Sequence, residues 1–333
     1  MPTECLHRRE FIKLFGAAAT AWPAAARAQH SDLPVIGVLG SPSPREFASA
    51  LGAFGRGLDE TGFTEGQNFK IEARWANGEL DRLPALATEL VQAQVTVIAV
   101  MGGLPPTLAA KAATHTIPIV FATSADPVKA GLVTSLARPE GNLTGATTLN
   151  VELGPKRLEL LREVLPTASS FAVLVNPTNP VFAESVSKDL RATSQSTGLQ
   201  IHVLQASSDG DLEAAFAAAD QVGARGLVIA PDTFFTTRSA KLAALSLQHA
   251  MPTVFQYHEF TAAGGLMSYG GSIVDQYHIA GTYAGRILKG DKPSDLPIQQ
   301  STKVELFINT KTAKAFGLTI PTPLLGRADD VIE

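Results

Sequence analysis

Cysteine is almost absent from this 333-residue chain, in which Cys5 stands alone. One thiol makes no internal disulfide framework, no cysteine-rich zinc site and no iron–sulfur cluster. Charge of one sign is missing as a block: Lys and Arg number 27 against 31 Asp and Glu, a net charge of −4, and no five like charges run together. That excludes a basic footprint for nucleic acid or anionic lipid. Charged residues make up 17% and aromatics 7%, with 45% apolar residues, 28 Gly and 21 Pro, which lies outside the disordered, collagenous and coiled-coil ranges. The usual catalytic patterns are missing too. There is no G-x-x-x-x-G-K-[ST] loop, no G-x-G-x-x-G after the first strand, no G-x-S-x-G elbow and no H-E-x-x-H. The glycines between Gly52 and Gly57 fall within a predicted helix at the wrong spacing, and His258-Glu259 has no second His one turn on. No enzyme activity, cofactor or metal is expected.

Residues 1–28 read as a targeting segment. Arg8-Arg9 precede an apolar run from Leu14 to Ala26, and Ala26-Arg27-Ala28 forms a small-x-small cleavage site. The run, about 13 residues, is short of the ~20 that span a bilayer. The string His7-Arg8-Arg9-Glu10-Phe11-Ile12-Lys13 resembles the twin-arginine export motif, with Phe11 and Lys13 matching and His7 where Ser or Thr is usual. Cleavage after Ala28 removes Glu4 and Glu10 with Arg8, Arg9, Lys13 and Arg27, and takes the net charge from −4 to −6. It removes Cys5 as well, which suits an oxidising compartment. An exported, periplasmic protein is expected.

From Pro34 onward, short β-branched runs alternate with helical patterns of 12 to 18 residues. Strands are predicted at Val35–Leu39, Phe69–Trp75, Val95–Met101, Ile117–Thr123 and Leu143–Leu149, with helices near 45–61 (ending at Gly62), 79–93 and 105–115. The pattern restarts with helices near 154–165, 181–197, 209–222 and 235–249, and with strands at Phe171–Val175, Leu199–Leu204, Gly226–Ala230 and Thr253–Tyr257. Such alternation means parallel sheets with covering helices and right-handed crossovers. By length, about two domains are expected; here they are two open α/β units meeting near 149–154.

Open parallel sheets bind ligands outside the carboxyl ends of their strands, and here those ends are small or polar. They carry Ser41 after the first strand, Gly102 and Gly103 after the third, and Ser124 and Asp126 after the fourth. In the second unit they carry Asn176, Asp232 and Tyr257. Two such rows describe a cleft. Local structure competes for some of these residues. Ser43-Pro44-Arg45-Glu46 reads as a capping box, Asn179-Pro180 as a helix cap, and Asp126 before Pro127 as an Asx turn. Gly102-Gly103 is either turn punctuation or a close backbone approach to an anion.

Several further stretches carry a resemblance. They include Ile117-Pro118-Ile119-Val120-Phe121-Ala122-Thr123 with Asp126-Pro127-Val128, Gly141-Asn142-Leu143-Thr144-Gly145 and Lys156-Arg157-Leu158-Glu159-Leu160-Leu161. Val173-Leu174-Val175-Asn176-Pro177, Gly264-Gly265-Leu266-Met267-Ser268-Tyr269-Gly270, Ala284-Gly285-Arg286-Ile287-Leu288-Lys289-Gly290 and Phe307-Ile308-Asn309-Thr310-Lys311 complete the set. With the leader, they run nearly the whole length of the chain. As a set they resemble the substrate-binding proteins of ABC transporters, in the tryptophan/tyrosine-type group of type I periplasmic binding proteins. The resemblance implies an α/β fold of two Rossmann-like lobes with parallel sheets joined by a multi-crossover hinge. The N-terminal lobe would take 34–149 plus about 273–297, and the C-terminal lobe 150–272 plus about 298–333. It further implies a monomer that captures a small ligand, most simply an amino acid, by hinge closure and presents it to an inner-membrane permease. The alternatives are a module feeding a sensor and, further off, a two-lobed enzyme.

Carried over, the ligand residues are Ser41, Gly102, Gly103, Ser124, Asp126, Asn176, Asp232, Tyr257 and Tyr269. Backbone N–H groups near 102–103 and 124 would take a carboxylate, Asp126 or Asp232 an ammonium, and Tyr257 or Tyr269 an apolar or aromatic body. One departure stands out: Leu104-Pro105-Pro106 replaces the relatives' usual Thr-Pro-Ala, which removes a hydroxyl at a helix start.

Overall fold

A computed structural model describes residues 33–301 and 303–333. The leader expected at 1–28, with Cys5, lies outside the described residues. The first unit runs β1 (Val35–Gly40), α1 (Ala48–Glu60), β2 (Lys70–Trp75), α2 (Leu83–Gln92), β3 (Val97–Met101), α3 (Leu104–Ala113), β4 (Ile119–Thr123) and β5 (Leu143–Thr147). The second runs α4 (Gly154–Val164), β6 (Ser170–Val175), α5 (Pro180–Thr197), β7 (Gln200–Gln205), α6 (Asp209–Gln221), β8 (Leu227–Ile229), α7 (Thr233–Thr236), α8 (Ser239–Gln248), β9 (Thr253–Phe255), α9 (His258–Ala262) and β10 (Met267–Gly270). The chain then crosses back for α10 (Ile273–Leu288) and β11 (Gln299–Gln300), and crosses again for β12 (Glu305–Asn309), α11 (Thr310–Ala315), α12 (Thr322–Leu325) and β13 (Asp330–Ile332).

Strands β1, β3 and β4 are almost wholly buried apolar runs, as a parallel strand covered on both faces requires. The first sheet has the order β11-β5-β4-β3-β1-β2 and is parallel throughout. The second has the order β13-β12-β10-β9-β8-β6-β7. Its strand β12 is antiparallel to β10, with Gly270 opposite Glu305. The sheet is otherwise parallel, and the reason for this one antiparallel pair lies in the path: β10 ends at the hinge and β12 starts there, so the two must run in opposite directions. Gln299 and Gln300 pair with Ala146 and Thr147, so the first unit extends past the boundary expected near 297. The helix expected at 235–249 is broken into α7 and α8, and the one expected from 45 begins regularly at Ala48.

Helix α10 joins the first unit. Its buried positions Tyr277, Ala280, Ala284 and Ile287 follow helical spacing and share a core with Ala53, Phe54 and Leu58 of α1. The two helices touch through glycine: a Cβ at Gly57 would lie 2.1 Å from the His278 carbonyl, and one at Gly281 would lie 2.0 Å from the Phe54 carbonyl.

Two of the crossings between the units are tied together at Asn150, which is fully buried. Its side chain donates to Gln256 Oε1 (3.2 Å) and accepts from the Gly271 N–H (2.9 Å). The buried Arg157 on α4 donates to the carbonyls of Asn150 (2.9 Å) and Tyr269 (2.8 Å), joining the first crossing to the end of β10. Burial pulls the Arg157 guanidinium down to about 9, which leaves it charged near neutrality.

Candidate functional site

Each sheet contains the strand order 2-1-3-4-5, as β2-β1-β3-β4-β5 and as β7-β6-β8-β9-β10. The order reverses between the first and third strand of each series, and the crevice beyond those two carboxyl ends is where open α/β sheets bind ligands. Ser41 and Gly102 stand at the first switch point, and Asn176 and Asp232 at the second. The two points face one cavity of about 780 Å³, inside the range of small-molecule sites. Gly103, Ser124 and Tyr257 also line it.

Asp232 is the most constrained polar group there. It is 8% exposed and caps α7 by accepting the Phe234 N–H at 2.9 Å. The Asn176 amide donates to the same carboxylate oxygen and the Asn179 amide to the other, each at 2.9 Å. Burial pushes the carboxyl above its ordinary 3.8, against the pull of these three hydrogen bonds, and among the described residues no cation contributes. A carboxylate held this way, at the wall of a cavity, is complementary to a ligand cation. Asn179, expected as a cap, does occupy the N-cap of α5 but makes no capping bond, because its amide is turned to Asp232.

The glycine pair is a close approach rather than punctuation. Gly102 and Gly103 have φ of +100° and +81°, and a Cβ on Gly102 would fall 2.0 Å from Ser41 Oγ. Yet the pair is not a free anion cradle. The Gly102 N–H donates to the Tyr277 hydroxyl (2.9 Å). Helix α3 then opens Leu104-Pro105-Pro106, and two of its first three residues carry no N–H. Burial drives the Tyr277 hydroxyl upward, so it stays protonated.

The two rows meet. Thr233 Oγ1 donates to the Gly102 carbonyl across the cleft (2.9 Å), and the Ser124 and Tyr257 hydroxyls lie 3.0 Å apart. The lobes are thus drawn together over the cavity.

Two expected ligand residues lie elsewhere. Asp126 is not part of the lining: its carboxylate closes on the N–H groups of Val128 (2.8 Å) and Lys129 (3.2 Å), the Asx geometry that a residue before proline favours. Tyr269 is also outside the lining, packed on the core from β10 opposite Leu306. Ser43 and Glu46 exchange the bonds of a capping box (Ser43 N to Glu46 Oε2, 3.0 Å; Glu46 N to Ser43 Oγ, 3.3 Å), but the box closes a turn ahead of the helix.

Several lining residues were not singled out from sequence. Phe47, Phe182, Phe234 and Tyr277 supply aromatic surface, with Phe47 set edge-on to Tyr277 at 5.2 Å. Arg238 stacks 4.0 Å over Phe234 while its Nε is bonded to Asp209. Gln276 donates to the Thr123 carbonyl (2.7 Å). The available signal was helix α10 itself, whose return to the first lobe carries Gln276 and Tyr277 to the crevice. Among the described residues no group of His, Cys, Asp or Glu is placed to hold a metal, and no helix is long and apolar enough to cross a membrane.

The fold has close counterparts. A solved conserved domain protein from Vibrio cholerae superposes with a TM-score of 0.80 at 25% identity, over 90% of this chain and 99% of that one. An ABC domain from Streptococcus pneumonia in complex with L-Trp superposes equally well, at 0.80, with 22% identity over 90% of this chain and 100% of its own. In sequence, the chain is 25% identical over 267 residues to a tyrosine-binding protein of Clostridioides difficile (strain R20291), covering 80% of this chain and 75% of that protein. The family model for ABC transporter substrate binding proteins matches residues 39–332, and the chain belongs to that family.

Proposed function

We propose that the protein is the exported solute-binding component of an ABC importer. It would close its two lobes over a small ligand that carries an ammonium group on an aromatic body, and present that closed form to a membrane permease. Asp232 carries the reading, as a buried carboxylate with hydrogen bonds but no cation, facing a cavity lined by Phe182, Phe234 and Tyr257. Aromatic amino acids are the first candidates, since one relative is a tyrosine-binding protein and one structural neighbour holds L-Trp. Closure shifts the population of lobe arrangements only by the ligand's differential affinity for them, and a cation on Asp232 supplies that difference where the lips meet. Calorimetric titration with L-Trp, L-Tyr, L-Phe and the branched amino acids tests this. Saturable heat from an aromatic member is expected, and no heat from any of them at millimolar ligand overturns the amino-acid version.

A further inference from the structure

A buried amide that hydrogen-bonds at one end only needs a partner for the other. Four buried amides line the cleft: Asn176, Asn179, Gln256 and Gln276. Gln256 accepts from Asn150 and donates to Thr236 Oγ1 (3.2 Å), and Asn176 accepts from the Thr178 N–H (3.0 Å) and donates to Asp232. Both are engaged at both ends. Asn179 donates to Asp232 and Gln276 to the Thr123 carbonyl (2.7 Å), and among the described residues neither of their oxygens has a partner.

Gln276 is the first lobe's member of that pair. It is 2% exposed and sits in the first turn of α10. A carbonyl only accepts, so Nε2 must face Thr123 and Oε1 must face away from it. Thr148 Oγ1 and Ser170 Oγ are unpartnered and sealed in the interior, whereas Gln276 Oε1 keeps an open side to the cavity that the residue lines. A carboxylate can use the remaining Nε2 hydrogen, but only a donor answers the oxygen. On an amino-acid head group that donor is the ammonium, which has three N–H bonds to place.

Asp232 has limited room for them. Its Oδ1 already accepts from Asn176 and Phe234, so the space is on Oδ2, where Asn179 alone donates. Gly102 brings the acceptors of the two lobes into one neighbourhood. Its carbonyl accepts from Thr233, next in the chain to Asp232, and its N–H donates to Tyr277, next in the chain to Gln276.

We propose that Gln276 is the first lobe's half of the ammonium site, its Oε1 accepting from the same ligand nitrogen that Asp232 holds from the second lobe. This rests on the reading of Asp232 as the ammonium partner and adds the contact that turns the ammonium into a bridge. Only the closed arrangement brings both acceptors to one nitrogen, so this contact gives the ligand a preference for closure that an ion pair within the second lobe alone does not.

The test is a calorimetric cycle on the purified protein. L-Trp and L-Tyr are each compared with the Nα,Nα-dimethyl derivative, which keeps the positive charge but retains one N–H, enough for Asp232 or Gln276 and not for both. The wild type is expected to prefer each parent amino acid tenfold or more, and a wild type that binds parent and derivative equally overturns the proposal without any variant. Gln276→Met removes the oxygen and is expected to shrink the preference at least threefold, since the steric part of methylation is common to both proteins and cancels in the ratio. Gln276→Glu keeps an acceptor at the same reach while giving up the amide donor to Thr123, and is expected to hold the wild-type preference. An unchanged preference in the Met variant overturns the proposal. So does a Glu variant that behaves like the Met one, because the bond to Thr123 would then be what matters. 1-Methyl-L-tryptophan and O-methyl-L-tyrosine remove the side-chain donors instead, and a preference against these that Gln276→Met abolishes assigns the oxygen to the ligand's side chain and overturns the proposal as well. Absence of heat from both parents overturns the amino-acid reading itself, whereas heat with an unchanged preference leaves that reading standing and removes Gln276 from the site.

Discussion

Burial lifts the Asp232 carboxyl above 3.8 even though three hydrogen bonds favour its charged form, so desolvation outweighs them until a cation arrives. The sign of the pH effect follows. Within the window from 3.8 up to the raised value the folded chain holds a proton that the unfolded chain releases, so the stability owed to this group falls as pH rises through that window. Cation binding runs the opposite way, since it needs the carboxylate, and weakens as pH drops through the same window. Asp232→Asn separates the two effects. Asn179 can turn its amide to meet the new side chain, whereas Asn176 is held, because its Oδ1 accepts from the Thr178 N–H. The variant is expected to melt above the wild type at pH about 7, with a gap that narrows toward pH about 4, and to bind cationic ligand at least tenfold more weakly. Calorimetric melting across that range and titration at its upper end check both.

The contact between α1 and α10 depends on two glycines. Gly281→Val places a side chain against the Phe54 carbonyl, a backbone atom that cannot swing away. The expected cost is about 3 kcal/mol or more, read as a lowered urea midpoint. Tolerance within about 0.5 kcal/mol would show that the helices part easily. Elements of this kind explain what sequence could and could not convey. The strands from β1 to β9 were legible because buried parallel strands are largely continuous apolar runs bounded by turn residues. Strand β11 was not, since two glutamines carry no periodicity and pair only because the chain passes β5 on its way to the hinge. The switch-point residues Ser41, Gly102, Asn176 and Asp232 were legible from strand ends alone. Asp126 and Tyr269 share that position but aim elsewhere, one captured by its own backbone and one by the core, and a side chain's aim is set by tertiary packing.

At the scale of the molecule, the two lobes communicate through few bonds. Thr233 Oγ1 to the Gly102 carbonyl is one of them, and Thr233→Val removes the donor while keeping the side chain's shape. A hydrogen bond of about 1 kcal/mol shifts a two-state equilibrium roughly fivefold. Small-angle scattering of the variant is therefore expected to show a larger mean radius than the wild type, with several-fold weaker ligand affinity as the competent fraction falls. Equal radii and equal affinities would show that this bond does not bias closure. The return of α10 has a different consequence, one that concerns time. The first lobe needs residues 273–288 to cover Phe54 and Leu58, and the ribosome makes those residues only after it has made β6 through β10. The first strands to appear are thus among the last to be sealed. Apolar surface stays open on the nascent chain until synthesis is nearly done, and long-range closure of this kind folds slowly and exposes the chain to aggregation meanwhile. Order of synthesis and order of folding are reversed for that lobe, whose opening strands wait for its closing helix.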